Sequence, residues 1–135
     1  MDLRTFAVEE TGVLHLVSAS DEPLHDAEGK PLTVTLYGPG SRHYARAQAV
    51  QQNRMIDKLK RKGASNQTAE EKAREQAEFF AMCTKEFSAN IEYEGLSGDA
   101  LFKAVYSDTS IGFIAEQVGK YLGDWSNFTK GSSKV

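Results

Sequence analysis

From Leu32 to Tyr37 apolar side chains alternate with threonines, and a period of two is the pattern of a strand with one buried face. A second short run, Thr11 to Val17, is apolar and β-branched and predicts a partner strand near 12–18, ended by the polar Ser18 to Glu22 and then Pro23. Asp26 to Pro31 supplies turn chemistry between them, because Gly29 accepts positive φ and Pro31 has no amide to donate to a ladder. Alternation returns at Phe87, Ala89, Ile91 and Tyr93, which predicts a third strand or extended segment over Phe87–Tyr93.

Helical spacing fills most of the remainder. Gly38-Pro39-Gly40 stops the second strand, and Ser41 stands at the N-cap of a helix predicted over 42–62. Its apolar stripe is Ala45, Ala49, Ile56 and Leu59, with Tyr44 and Met55 beside it. So thin and alanine-rich a stripe contributes little burial, and the helix is expected to be partly exposed. Gly63 to Gln67 ends it, and Thr68 with Glu71 matches a capping box that opens a helix over 68–85. The buried positions of that second helix are read as Ala69, Ala73, Ala77, Phe80 and Cys83 or Thr84. A short helix near 99–106, capped by Ser97 or Asp99, carries Leu101, Phe102 and Val105. The last helix, 110–122, keeps three-and-four spacing through Ile111, Ile114, Val118, Tyr121 and Leu122, with Gly123 as its left-handed stop. Early strands followed by helices predict an α+β fold: one mostly helical domain over 1–130, three main helices and a short one packed on a small antiparallel sheet, with a disordered polar tail at 131–135.

Composition narrows the class without naming a function. The 135 residues are 40 % hydrophobic and 26 % charged, ordinary proportions for a globular domain that can enclose its own core. Sixteen basic against nineteen acidic residues leave a net charge of -3, so the overall field does not attract nucleic acid or an anionic bilayer. A single cysteine, Cys83, cannot close an internal disulfide, and no apolar run reaches the roughly 18 residues of a membrane helix. With no signal-peptide pattern behind Met1, a cytoplasmic protein is expected, neither inserted nor exported.

Candidate chemistry is sparse. Gly38-Pro39-Gly40-Ser41 joins a strand to a helix N-terminus, a place that favours anions, but it lacks the dinucleotide-binding glycine spacing and has no lysine before its serine. It reads as a capped turn. His15, His25 and His43 have no motif around them, Cys83 falls on an apolar stripe where a thiol is buried and unreactive, and no His or Cys pair has metal-ligand spacing. The carboxylate pairs Glu9-Glu10, Asp21-Glu22 and Glu70-Glu71 are adjacent in polar surroundings and read as solvated. No catalytic residue, cofactor or metal is therefore expected. The run Lys58-Leu59-Lys60-Arg61-Lys62 is the one feature suited to a nucleic-acid-binding accessory protein, although cations at a helix C-terminus are also favoured by the macrodipole. Trp125 and Phe128, just past the last helix, are candidate partner-binding residues together with Tyr44. The alternative for the aromatic pair is that both fold back onto the core.

The order of blocks carries a resemblance. Leu32 to Tyr37, Gly38-Pro39-Gly40-Ser41, Tyr44, Ala47-Gln48-Ala49 and Gln52-Asn53-Arg54 resemble the tail assembly chaperones of long, non-contractile-tailed bacteriophages and related prophages. Later blocks are similar too: Cys83-Thr84 closing a helix, the alternating segment to Tyr93, Val105-Tyr106, and Ile114 to Val118 ahead of Asp124-Trp125-Ser126-Asn127-Phe128. The resemblance covers Gly29 to Lys130. It implies a non-enzymatic protein of the host cell cytoplasm, absent from the mature virion, that binds the tape-measure protein, keeps its long helical chain soluble and helps recruit tail-tube subunits. It also implies that a minority product is extended by a ribosomal frameshift near the C-terminus, in the gene region after Phe128. Weak head-to-tail self-association is a further expectation, from the alanine-rich helix face and the aromatic terminal segment.

Overall fold

The computed structural model describes residues 1–62 and 69–129. Three strands, β1 (Thr11–His15), β2 (Thr33–Tyr37) and β3 (Thr84–Phe87), form an antiparallel sheet in the order β1-β2-β3. Four helices accompany it: α1 (Arg42–Lys62), α2 (Ala69–Met82), α3 (Gly98–Ser107) and α4 (Gly112–Leu122). Single 3₁₀ turns span Leu3–Phe6, Thr109–Ile111 and Trp125–Phe128. The arrangement is the expected α+β domain. Thr68 with its capping box, the Gly63–Gln67 connection and the 131–135 tail lie outside the described residues.

Register explains which side of the sheet is covered. Gly12 faces Leu36 and Leu14 faces Val34, while Val34 faces Phe87 and Leu36 faces Thr84, so these six positions share one face. Val34 and Leu36 are fully buried there, and they join one core with Phe80 of α2, Phe102 and Val105 of α3, and Ile114, Val118 and Leu122 of α4. Helix α1 instead lies on α2. The predicted stripes of α2, α3 and α4 are buried at Ala77, Phe80, Leu101, Phe102, Val105, Ile114, Val118 and Leu122, whereas Ala69, expected to be buried, is exposed at the first turn of α2 and Ala73 is half-buried.

Several expectations are corrected. The third strand is Thr84–Phe87, not Phe87–Tyr93, and α2 ends at Met82 rather than 85. The cause is a single peptide: the Cys83 carbonyl accepts from the Tyr37 amide at 2.7 Å, which commits the chain to the sheet directly after the helix. Cys83-Thr84 thus opens a strand instead of closing a helix. Alternation beyond Phe87 is broken because Ser88 Oγ accepts from the Thr33 amide and Asn90 donates to Asp26, turning the chain away. Ser97 stands at the N-cap of α3, as one of the two readings had it, but makes no side-chain cap bond, and Asp99 pairs with Lys103 at 2.9 Å. Gly123 is right-handed, at φ -78 and ψ -5, and α4 closes through the Gly123 N–H donating to the Gly119 carbonyl and the Asn127 side-chain Nδ2 donating to the Tyr121 carbonyl.

The stripe of α1 is also reversed. Ala47 is its buried residue and Tyr44 is half-buried, whereas Ala45, Ala49, Met55, Ile56 and Leu59 face solvent. Toward α2 the helix presents Arg54 and Lys58. Arg54 pairs with Glu78, and Lys58 pairs with Glu75 and lies 3.9 Å from Glu71. Charged pairs join the later turns of α1 to α2, and Tyr44 packs on Phe79 nearer its start.

Candidate functional site

The residues singled out in the sequence occupy separate surroundings. Phe128 is fully buried, and its ring lies edge-on to Tyr121 at 5.2 Å under the end of the sheet. Trp125, in the same 3₁₀ turn, is 57 % exposed beside Gly40. The turn is built by Asp124, whose carboxylate accepts from the amide and hydroxyl of Ser126, and those bonds hold its pKa below the usual carboxylate value. Tyr44 packs edge-on to Phe79 at 5.6 Å, and burial raises its pKa. The aromatic pair is therefore divided. Phe128 caps the core and Trp125 stays on the surface.

The other candidates are accounted for by packing. Ser41 Oγ donates to the Gly38 carbonyl at 2.7 Å and accepts from the Tyr44 amide at 3.2 Å, so the first turn of α1 is capped from within. His15 bonds the Leu24 carbonyl at 2.9 Å and meets His25 edge-on, while His43 stacks flat on Tyr37 at 3.7 Å near the opposite end of β2. Cys83 is buried, and desolvation pushes its thiol up to about 12. Among the described residues no group of three His, Cys, Asp or Glu side chains converges as a metal site. Of the basic run, Lys58 is turned against the carboxylates of α2, so its charge is answered inside the protein.

What the fold does create is a groove between α1 and α2, with a volume of about 520 Å³. Met55 and Leu59 supply its apolar wall, Gln51, Gln52 and Gln76 its amides, and Lys58, Glu75 and Lys72 its charged rim. Met55, Ile56 and Leu59 are 65 %, 49 % and 51 % exposed. Adjacent large apolar side chains left in water on one helix mark a contact surface more than a stability device. Sequence reading placed these residues on a stripe but could not locate the groove, because its other wall belongs to α2 and depends on the hairpin geometry. The signal was present in the thinness of that stripe.

Comparison of the chain with protein-family models, curated proteins and solved structures returns no match.

Proposed function

We propose that this protein is a tail assembly chaperone of a long, non-contractile-tailed bacteriophage or related prophage. It works without catalysis in the host cytoplasm, where it binds the tape-measure protein, keeps that long helical chain soluble and helps recruit tail-tube subunits, and it is absent from the finished virion. The observation that supports this reading is the α1–α2 groove with its exposed Met55 and Leu59, and Ile56 exposed beside it on α1. An amphipathic helix laid in such a groove sets its apolar stripe on Met55 and Leu59 of α1 and its polar side against Lys72, Glu75 and Gln76 of α2. Methionine adapts its shape to varied sequence, and the flanking amides accept polar positions without demanding one partner residue. Trp125 adds a separate exposed anchor.

Co-expression with the tape-measure protein encoded beside it provides the test. The wild-type chain should carry that protein into the soluble fraction, and Met55→Glu combined with Leu59→Glu should leave it in the pellet while the variant itself melts normally. A tape-measure protein that stays insoluble beside the wild-type chain would overturn the reading.

A further inference from the structure

We infer that the α1–α2 groove selects an acidic amphipathic helix, one that sets a carboxylate on Lys72 while its apolar stripe lies on Met55 and Leu59. The inference rests on the chaperone reading and deepens it, because it names the chemistry of the partner segment held at the same groove. Met55 and Leu59 are four residues apart on α1, so they lie one above the other, about 6 Å apart along the helix axis. They meet apolar side chains at three-and-four spacing and are indifferent to charge. The α2 wall decides the charge. Of the charged residues that line the groove, Lys58 and Glu75 answer each other as an ion pair. Lys72 is left over: it is exposed and forms no ion pair among the described residues. An acidic flank thus finds a cation that nothing else holds, whereas a basic flank meets like charge at Lys72 and a carboxylate already taken.

The place of Lys72 within its own helix argues in the same direction. It follows Glu70 and Glu71 at the start of α2, where the helix dipole favours carboxylates over a cation. The stability of α2 therefore does not account for a lysine here. The ion pairs Arg54–Glu78 and Lys58–Glu75 also fix where along the groove that charge stands. They run α2 antiparallel to α1, so Lys72 lies toward the Leu59 end, and the uncharged Gln51 and Gln52 lie at the other. The partner's carboxylate accordingly belongs on the Leu59 side of its apolar stripe, which gives the bound helix a preferred placement as well as a preferred charge.

Fluorescence anisotropy with two labelled synthetic helices tests this on the full chain. The two share one apolar stripe and differ only in carrying glutamate or lysine on its flank. The wild type should bind the glutamate helix about tenfold more tightly than the lysine helix, and added salt should narrow that gap. Lys72→Glu should reverse the preference and Lys72→Arg should keep it. Lys72→Glu should also melt no lower than the wild type, since the start of α2 accepts a carboxylate, so a lost preference is not a lost fold. Equal binding of the two helices, binding of neither, or a preference that survives Lys72→Glu would each overturn the inference. Solubility of the tape-measure protein on co-expression is read separately: a wild type that solubilises it yet shows no peptide preference overturns this inference alone, and one that fails to solubilise it overturns the chaperone reading and this inference with it.

Discussion

The ring of Phe128 occupies the space that a side chain on Gly38 would need. A Cβ added at Gly38 would stand 2.6 Å from the ring Cγ, and one added at Gly12 would stand 3.0 Å from the ring Cε1. Two glycines, Gly12 on β1 and Gly38 directly after β2, thus open the end of the sheet to an aromatic side chain that arrives from the far end of the chain. The Glu9 amide, donating to the Phe128 carbonyl at 2.6 Å, fastens that arrival. Gly38→Ala should cost about 1–3 kcal/mol by overpacking, and Phe128→Ala about 3–5 kcal/mol by leaving a cavity. Trp125→Ala should change stability by less than about 1 kcal/mol. Urea melts of the three variants check the ranking, and a Trp125 variant that melts as early as the Phe128 variant would refute the division between them.

A second prediction concerns Thr84. Its hydroxyl donates to the Phe80 carbonyl at 2.7 Å and accepts from the Tyr106 hydroxyl at 2.7 Å, tying the start of β3 to α2 and α3 inside the core. Thr84→Val leaves the Tyr106 hydroxyl buried without that partner and should cost about 1–3 kcal/mol. Tyr106→Phe in the Thr84→Val background should recover part of the loss. Additive costs in the double variant would show that the pair is not coupled.

Alkaline pH should weaken the fold through Cys83 and Tyr106. Burial raises both values above those of the unfolded chain, that of Cys83 to about 12, so the folded state retains protons that the unfolded state releases. The stabilising contribution is complete below the unfolded thiol value near pH 9 and is lost progressively as pH rises toward the folded one. Melting temperature should accordingly fall above about pH 9. The fall should be shallower for Cys83→Ala relative to that variant's own neutral value, and a parallel curve would exclude the thiol as a source.

The junction of α1 and α2 should respond to salt. Lys58 and Glu75 are each about three-quarters covered, and partly screened pairs of this kind couple by about 0.2–1 kcal/mol. A double-mutant cycle on Lys58→Met and Glu75→Gln should give coupling in that range at low ionic strength and less in 1 M salt. Coupling that is indifferent to salt would mean the two side chains interact through packing instead.

Local signals account for what was legible in the sequence. Gly38-Pro39-Gly40-Ser41 marks both the end of β2 and the start of α1, and dense apolar stripes identify the buried faces of α3 and α4. Thr84 was misread because helical spacing runs on through Cys83 and Thr84, and only the bond from Tyr37 to the Cys83 carbonyl, made across a long separation, overrules it. The outward turn of Ile56 and Leu59 was hidden for a similar reason. Periodicity tells which residues share a face, but the ion pairs of Arg54 and Lys58 decide which face meets α2. Trp125 and Phe128 look equivalent in the sequence, and the gap left by Gly12 and Gly38 admits only one of them.

Gln117 of α4 has a role that reaches past its own helix. Its side-chain amide accepts from the Val17 N–H at 2.8 Å and donates to the Val17 carbonyl at 3.0 Å, the same two bonds that a residue of a neighbouring strand would form. Tyr121, one turn on, donates to the Val13 carbonyl. One helix thus imitates a strand along the open border of β1 and its continuation, occupying groups that would otherwise template the addition of a foreign chain. For a protein that leaves apolar side chains in water on α1, covering this border of the sheet removes one route by which that stickiness becomes aggregation.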